Sequence, residues 1–161
     1  MPRILPHTIA PRLAAALVVT SLLAGCGIPG FSNIRMGQLS EHECMMRAMY
    51  FESNRSSSDG MLAVGTVVMN RVDNPGEYPT NVCGVVGQPN QFADGVLTRP
   101  MTDSGAVLAS EMAGRVLRGE RHSGVGPAEH FHTAGLRFPY NNMHYVLEAG
   151  GNEFYIKMRR R

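Results

Sequence analysis

A glutamate placed directly after three large apolar side chains is the residue in this sequence best suited to move a proton. Met49, Tyr50 and Phe51 precede Glu52, so its carboxyl is expected in partly apolar surroundings. Loss of solvation disfavours the charged form and raises a carboxyl pKa. A carboxyl still protonated near neutral pH can donate its proton to a glycosidic oxygen. From the residues alone, an ordinary acid at a helix end is the competing reading. The remaining acids have simpler explanations. Glu41 and Glu43 fall in a first helical turn, where the helix dipole favours anions. Asp59 and Asp103 read as caps, and Glu111 and Glu120 as exposed helix residues. No serine nucleophile motif, phosphate-binding glycine loop or Cys–His pair is present.

One histidine cluster invites a metal reading. In Glu129-His130-Phe131-His132 the two histidines are two residues apart, and in a strand they would face the same side. A zinc amidase could be built on such a pair, but the ion needs a third protein ligand. His122 or His144 would have to supply it, and neither spacing is a known signature. The expectation is therefore no metal and no cofactor, with one histidine facing a cleft.

The elements that must position Glu52 are legible. Ser40-Glu41-His42-Glu43 forms a capping box, with Leu39 and Cys44 at the staple positions, and opens a helix that ends near Phe51 or Glu52. Ser56 to Gly60 reads as a loop capping a second helix, roughly residues 61–72. There Met61, Val64, Val68 and Val72 recur near helical spacing, and Gly65 permits a close neighbour. Asp73-Asn74-Pro75-Gly76 ends it. A short turn over 80–86, a loop with Gln88, Gln91 and Phe92, and a third long helix over 104–118 follow. After a glycine-rich break come three short strands, near 129–133, 143–147 and 153–158. The last two are joined through Ala149-Gly150-Gly151-Asn152, a hairpin-like turn. Helices first and strands afterwards predict an α+β domain.

With 161 residues and 43% hydrophobic content, the chain suits one domain after removal of a targeting segment. Its formal charge of +2 is too small to suggest a nucleic-acid partner. Arg3 and Arg12 precede a short apolar run over 13–23, laid out as an export signal. Leu23-Ala24-Gly25-Cys26 resembles the lipobox of bacterial lipoproteins. That resemblance implies a signal over 1–25, lipidation of Cys26, and a Gly/Pro/Ser-containing tether over 26–38. With Gly27 after the cysteine, it also implies the periplasm-facing leaflet of the outer membrane. Residues 159–161 read as a basic tail. Cys44 and Cys83 then remain as an even pair in an oxidising compartment, which reads as a disulfide; two free buried thiols are the alternative.

Several segments together resemble the SleB-type cell wall hydrolases. These are Met49-Tyr50-Phe51-Glu52, Gly60-Met61-Leu62-Ala63-Val64, Asn70-Arg71-Val72, the run from Tyr78 to Val86, and Gln88 with Gln91-Phe92. Weaker echoes follow in Phe131-His132-Thr133-Ala134 and Gly150-Gly151-Asn152-Glu153-Phe154-Tyr155. The resemblance implies a small lysozyme-like domain over 39–158 that cleaves peptidoglycan glycan strands. Glu52 would be general acid and then base, as in lytic transglycosylases. Tyr50, Thr80, Gln91, Phe92, His132 and Tyr155 are the candidate groove residues, since sugar sites set hydrogen-bonding groups beside apolar surface. For Phe92 and Tyr155, core packing is the competing reading. After Glu52 the sequence departs from the family pattern, with Ser53-Asn54-Arg55-Ser56 and no second acid, and Asn152 stands where the family has histidine. A hydrolytic muramidase, a non-catalytic peptidoglycan-binding lipoprotein and, less readily, an amidase are the alternatives.

Overall fold

The computed structural model describes residues 39–158. The expected signal, the lipidated Cys26, the tether and the basic tail lie outside the described residues. Four helices precede three strands: α1 Glu41–Glu52, α2 Ser58–Val72, α3 Val82–Val86, α4 Gly105–Leu117, β1 His130–Thr133, β2 Met143–Ala149 and β3 Asn152–Lys157. The fold is α+β.

Local chemistry sets the helix boundaries. Ser40 Oγ accepts the Glu43 amide at 3.1 Å, one arm of the capping box. The other arm is not made, because the Glu43 carboxylate takes the Arg47 guanidinium at 2.7 Å instead. Helix α2 begins earlier than the apolar spacing predicts. Ser57 accepts the Gly60 amide at 3.0 Å, so Ser58 and Asp59 already lie in the first turn. Asn81 caps α3 through the Gly84 amide at 2.7 Å. Glu120 is not on a helix face; it lies beyond α4 and pairs with Arg115.

Helix α2 is the spine of the domain, and it is apolar on two sides rather than one. Met61 and Val68 join the core shared with α1, α3 and α4, where Met45, Met49, Val85 and Met112 are buried. Ala63, Val64 and Val67 face the sheet and meet Phe154, Ala149 and Val125. Each Val, Met or Phe side chain among these, fully buried, contributes about 1.5–3 kcal/mol. A Cβ at Gly65 would run into Met49 and Val116, which is why α1 and α4 can cross α2 so closely. Cys44 of α1 and Cys83 of α3 form a disulfide, with Cα atoms 5.2 Å apart.

The sheet has strand order β1-β3-β2, antiparallel throughout. Gly150 and Gly151 turn the β2–β3 hairpin with φ of 57° and 86°, the left-handed pair that a two-residue turn demands. Opposed residues share a face. Phe131 and Phe154 point at α2, while His130, His132, Tyr145 and Tyr155 lie on the other face.

Candidate active site

The last turn of α1 carries Glu52 to the junction of helices and sheet, and three contacts hold it there. Ser53 Oγ donates to the Met49 carbonyl at 2.9 Å, closing the helix end. The Asn54 amide donates to the Gly150 carbonyl at 2.8 Å. The Asn152 side chain donates to the Glu52 carbonyl at 2.5 Å. Gly60 at the start of α2 lies against Gly150 with no room for a Cβ on either residue. The hairpin turn therefore seats directly on the chain that leaves Glu52.

The Glu52 side chain is half-buried, and one carboxyl oxygen accepts the Ala93 amide from the loop after α3. Burial pushes its pKa up. The Ala93 amide, then Arg71 and then Arg99 oppose the rise without cancelling it. Among the described residues, no carboxylate is among the groups whose charge acts on it. The position can hold a proton that an exposed glutamate would already have lost.

Phe92 is the chain neighbour of Ala93, whose amide meets this carboxyl. Its ring lies 5.3 Å from the Arg71 guanidinium and 6.3 Å from the Phe131 ring. Arg71 is 4% exposed; it donates to the Glu129 carbonyl at 2.8 Å and lies 5.3 Å from the Tyr78 ring as well. Across β1, Tyr155 stacks on His130 at 5.2 Å, and His132 Nε2 lies 2.9 Å from the Tyr145 hydroxyl. Tyr155 is half-buried, and burial raises its pKa. Two cavities of about 540 and 440 Å³ share His130, Asn142 and Lys157. A third, of about 320 Å³, is lined by Phe92 and Ala93. Glu52 lines none of them directly; it reaches the third through Ala93.

The structure brings together some of the expected site residues and separates others. Phe92 adjoins Glu52 through Ala93. His132 and Tyr155 have ring centres 5.6 Å apart on the far face of the sheet. Thr80 and Gln91 are exposed, and among the described residues no hydrogen bond ties either to Glu52. Tyr50 does not line a groove: it is 1% exposed, and its hydroxyl accepts the Thr102 amide at 3.2 Å. Residues two apart on a helix point to different faces, so Tyr50 enters the core while Glu52 leaves it. Among the described residues, no three His, Cys, Asp or Glu side chains converge as metal ligands. His130 and His132 are instead engaged with Tyr155 and Tyr145. Arg71 and Asn152 were not expected at the site. The Asn70-Arg71-Val72 run and the asparagine after the glycine pair were their only signals.

The family model for cell wall hydrolases matches residues 55–155. The chain belongs to the cell wall hydrolase family. It is thus an enzyme of the cell wall, and Glu52 lies just ahead of the matched segment. The fold of this cell wall hydrolase is also that of two solved domains. The catalytic domain of the Bacillus cereus SleB protein is 21% identical, with a TM-score of 0.59; the alignment covers 74% of this chain and 94% of that one. The catalytic domain of the germination-specific lytic transglycosylase SleB from Bacillus anthracis is 23% identical, with a TM-score of 0.57 and coverage of 74% and 98%. No curated protein matches. Among the described residues, no helix of this hydrolase is long and apolar enough to cross a membrane.

Proposed function

We propose that this enzyme cleaves peptidoglycan glycan strands between N-acetylmuramic acid and N-acetylglucosamine, as a lytic transglycosylase with Glu52 as its acid. The observation that carries the reading is the half-buried Glu52 carboxyl, held by the Ala93 amide, with its pKa pushed up by burial. Protonated Glu52 gives its hydrogen to the bridging oxygen as the bond from that oxygen to the muramyl C1 breaks. The C6 hydroxyl of the same sugar then attacks C1, and its proton goes to the Glu52 carboxylate. The acid is restored, no water is added, and the product carries a 1,6-anhydro ring. One carboxyl used twice replaces the usual glycosidase pair.

Phe92, Tyr155 and His132 are proposed to contact sugar, with Thr80 and Gln91 further along the strand. The Bacillus anthracis relative is named a lytic transglycosylase, which agrees with the same chemistry here. A lipid on Cys26 would hold the domain at the periplasmic face of the outer membrane, within reach of the wall. Digestion of purified sacculi with the full chain tests the reaction, with the released fragments weighed. Anhydro ends are lighter than hydrolytic ends by one water. Reducing ends would mean a hydrolase, and stem peptides freed from glycan would mean an amidase.

A further inference from the structure

Charges of both signs border one cavity at the end of the sheet away from the hairpin turn. The cavity, of about 440 Å³, is lined by Glu77, Glu129, His130, Asn142 and Lys157 among others. Lys157, the chain's only lysine, ends β3. Glu129 precedes β1, and Glu77 lies in the loop after α2. Among the described residues, none of these three charges forms an ion pair. Glu77 and Lys157 are exposed, and Glu129 is half-buried. The Asn74 side chain donates to one Glu129 oxygen at 3.0 Å, which orients that carboxylate and occupies only one of its oxygens. Burial, then Arg71 and Lys157, push the His130 pKa down, so this ring offers a hydrogen bond rather than a charge.

An uncharged sugar ring draws little from such a lining. A group that carries both signs satisfies two acids and a lysine together, because complementary charge sets specificity. Peptidoglycan offers that group on its stem peptides, where a diamino acid outside any cross-link ends in an ammonium and a carboxylate on one carbon. We propose that this cavity is a stem-peptide subsite, in which Glu77 and Glu129 take the ammonium of such a diamino acid and Lys157 takes its carboxylate. This rests on the reading of the chain as an enzyme of peptidoglycan glycan strands. A second cavity, of about 540 Å³, shares His130, Asn142 and Lys157 and adds Tyr140, Met143 and Tyr155, which supply apolar surface for the methylene stem. Arg71 joins the cavity to the proposed catalytic group. It donates to the Glu129 carbonyl at 2.8 Å and packs 5.3 Å from the Phe92 ring, beside the Ala93 amide that holds Glu52. A stem of three residues reaches about 10 Å from its sugar, so the glycan lies outside the cavity when the peptide end enters it. A cross-link consumes the ammonium, and the subsite therefore selects strands that carry free stems.

The test uses the full chain and a soluble stem tripeptide ending in diaminopimelate. Two blocked forms accompany it, one acetylated on the side-chain amine and one amidated on the neighbouring carboxyl. Carbon-13 methylation of the single lysine keeps its charge and gives one side-chain NMR probe in the cavity, apart from the amino terminus. The free tripeptide should move the Lys157 signal saturably. Each blocked form should bind wild type about fivefold more weakly, the effect of losing one exposed charge pair. By calorimetry, Glu77→Gln and Lys157→Met should weaken the free tripeptide by a similar factor, with circular dichroism unchanged. On peptide-bearing glycan strands, Lys157→Met should raise KM and leave kcat as it was; on peptide-free strands neither should change. Absence of a saturable shift overturns the inference. So does equal binding of the free and blocked tripeptides by wild type, a comparison that needs no variant to fold. The titrations need no turnover, so their failure defeats only the subsite, whereas activity retained by Glu52→Gln would defeat the reaction proposed above.

Discussion

The side chain of Asn152 donates to the backbone carbonyl of Glu52 at 2.5 Å, joining residues 100 positions apart. Glu52 ends the first helix and Asn152 opens the last strand, so this bond locks the helical part of the domain to the sheet at the proposed catalytic group. Asn152→Ala leaves that carbonyl unpaired, and Asn152 itself is 6% exposed. The expected loss is about 1–3 kcal/mol of stability, read by chemical denaturation, with lower activity because the helix end loosens. A variant as stable and active as wild type would show that the bond positions nothing.

The same junction depends on two backbones touching. A Cβ on Gly60 would overlap Gly150, and the reverse holds as well. Gly60→Ala is expected to cost about 1–3 kcal/mol through overpacking. Gly150→Ala adds the strain of its φ of 57° and should cost more. Gly76→Ala, whose Cβ would meet only the Asn74 side chain at 3.7 Å, is the control and should change little. Denaturation midpoints order the three.

The disulfide closes a loop of 39 residues between α1 and α3. Replacing both Cys44 and Cys83 by alanine should remove about 2–5 kcal/mol. Peptide mapping without reduction should find the two cysteines in one linked fragment. Recovery of both as free thiols would contradict the bond.

Burial of Glu52 also makes stability depend on pH. Its folded pKa is raised above the unfolded value of 4.5, so between the two the folded state binds more protons. Stability contributed by this group therefore falls as pH rises through that interval, and the full penalty applies above the folded pKa. Glu52→Gln escapes it. The variant should be more stable than wild type at neutral pH, and the difference should shrink as pH drops below the ordinary glutamate range. Unfolding free energies of both proteins across that range check the sign.

Much of this organisation is readable in the sequence, for physical reasons that differ by element. Ser40 and the Gly150-Gly151 pair announce their structures because capping and left-handed turns are local chemistry. Glu52 stood out because apolar neighbours imply lost hydration. The two-sided burial of α2 was hidden, since Met61, Val64 and Val68 fit a single stripe equally well when the sheet beyond is unseen. Tyr50 enters the core because residues two apart on a helix take different faces. The Ala93 amide has no side-chain signature at all. Asn152 and Arg71 gain meaning only from partners brought close by folding.

The most direct measurement is digestion of purified sacculi by wild type and Glu52→Gln side by side, with fragment masses and circular dichroism recorded for both. The account predicts anhydro-muropeptides from wild type and a folded Glu52→Gln slowed by about 10²–10⁴-fold. A folded Glu52→Gln that releases the same fragments at the wild-type rate would contradict it.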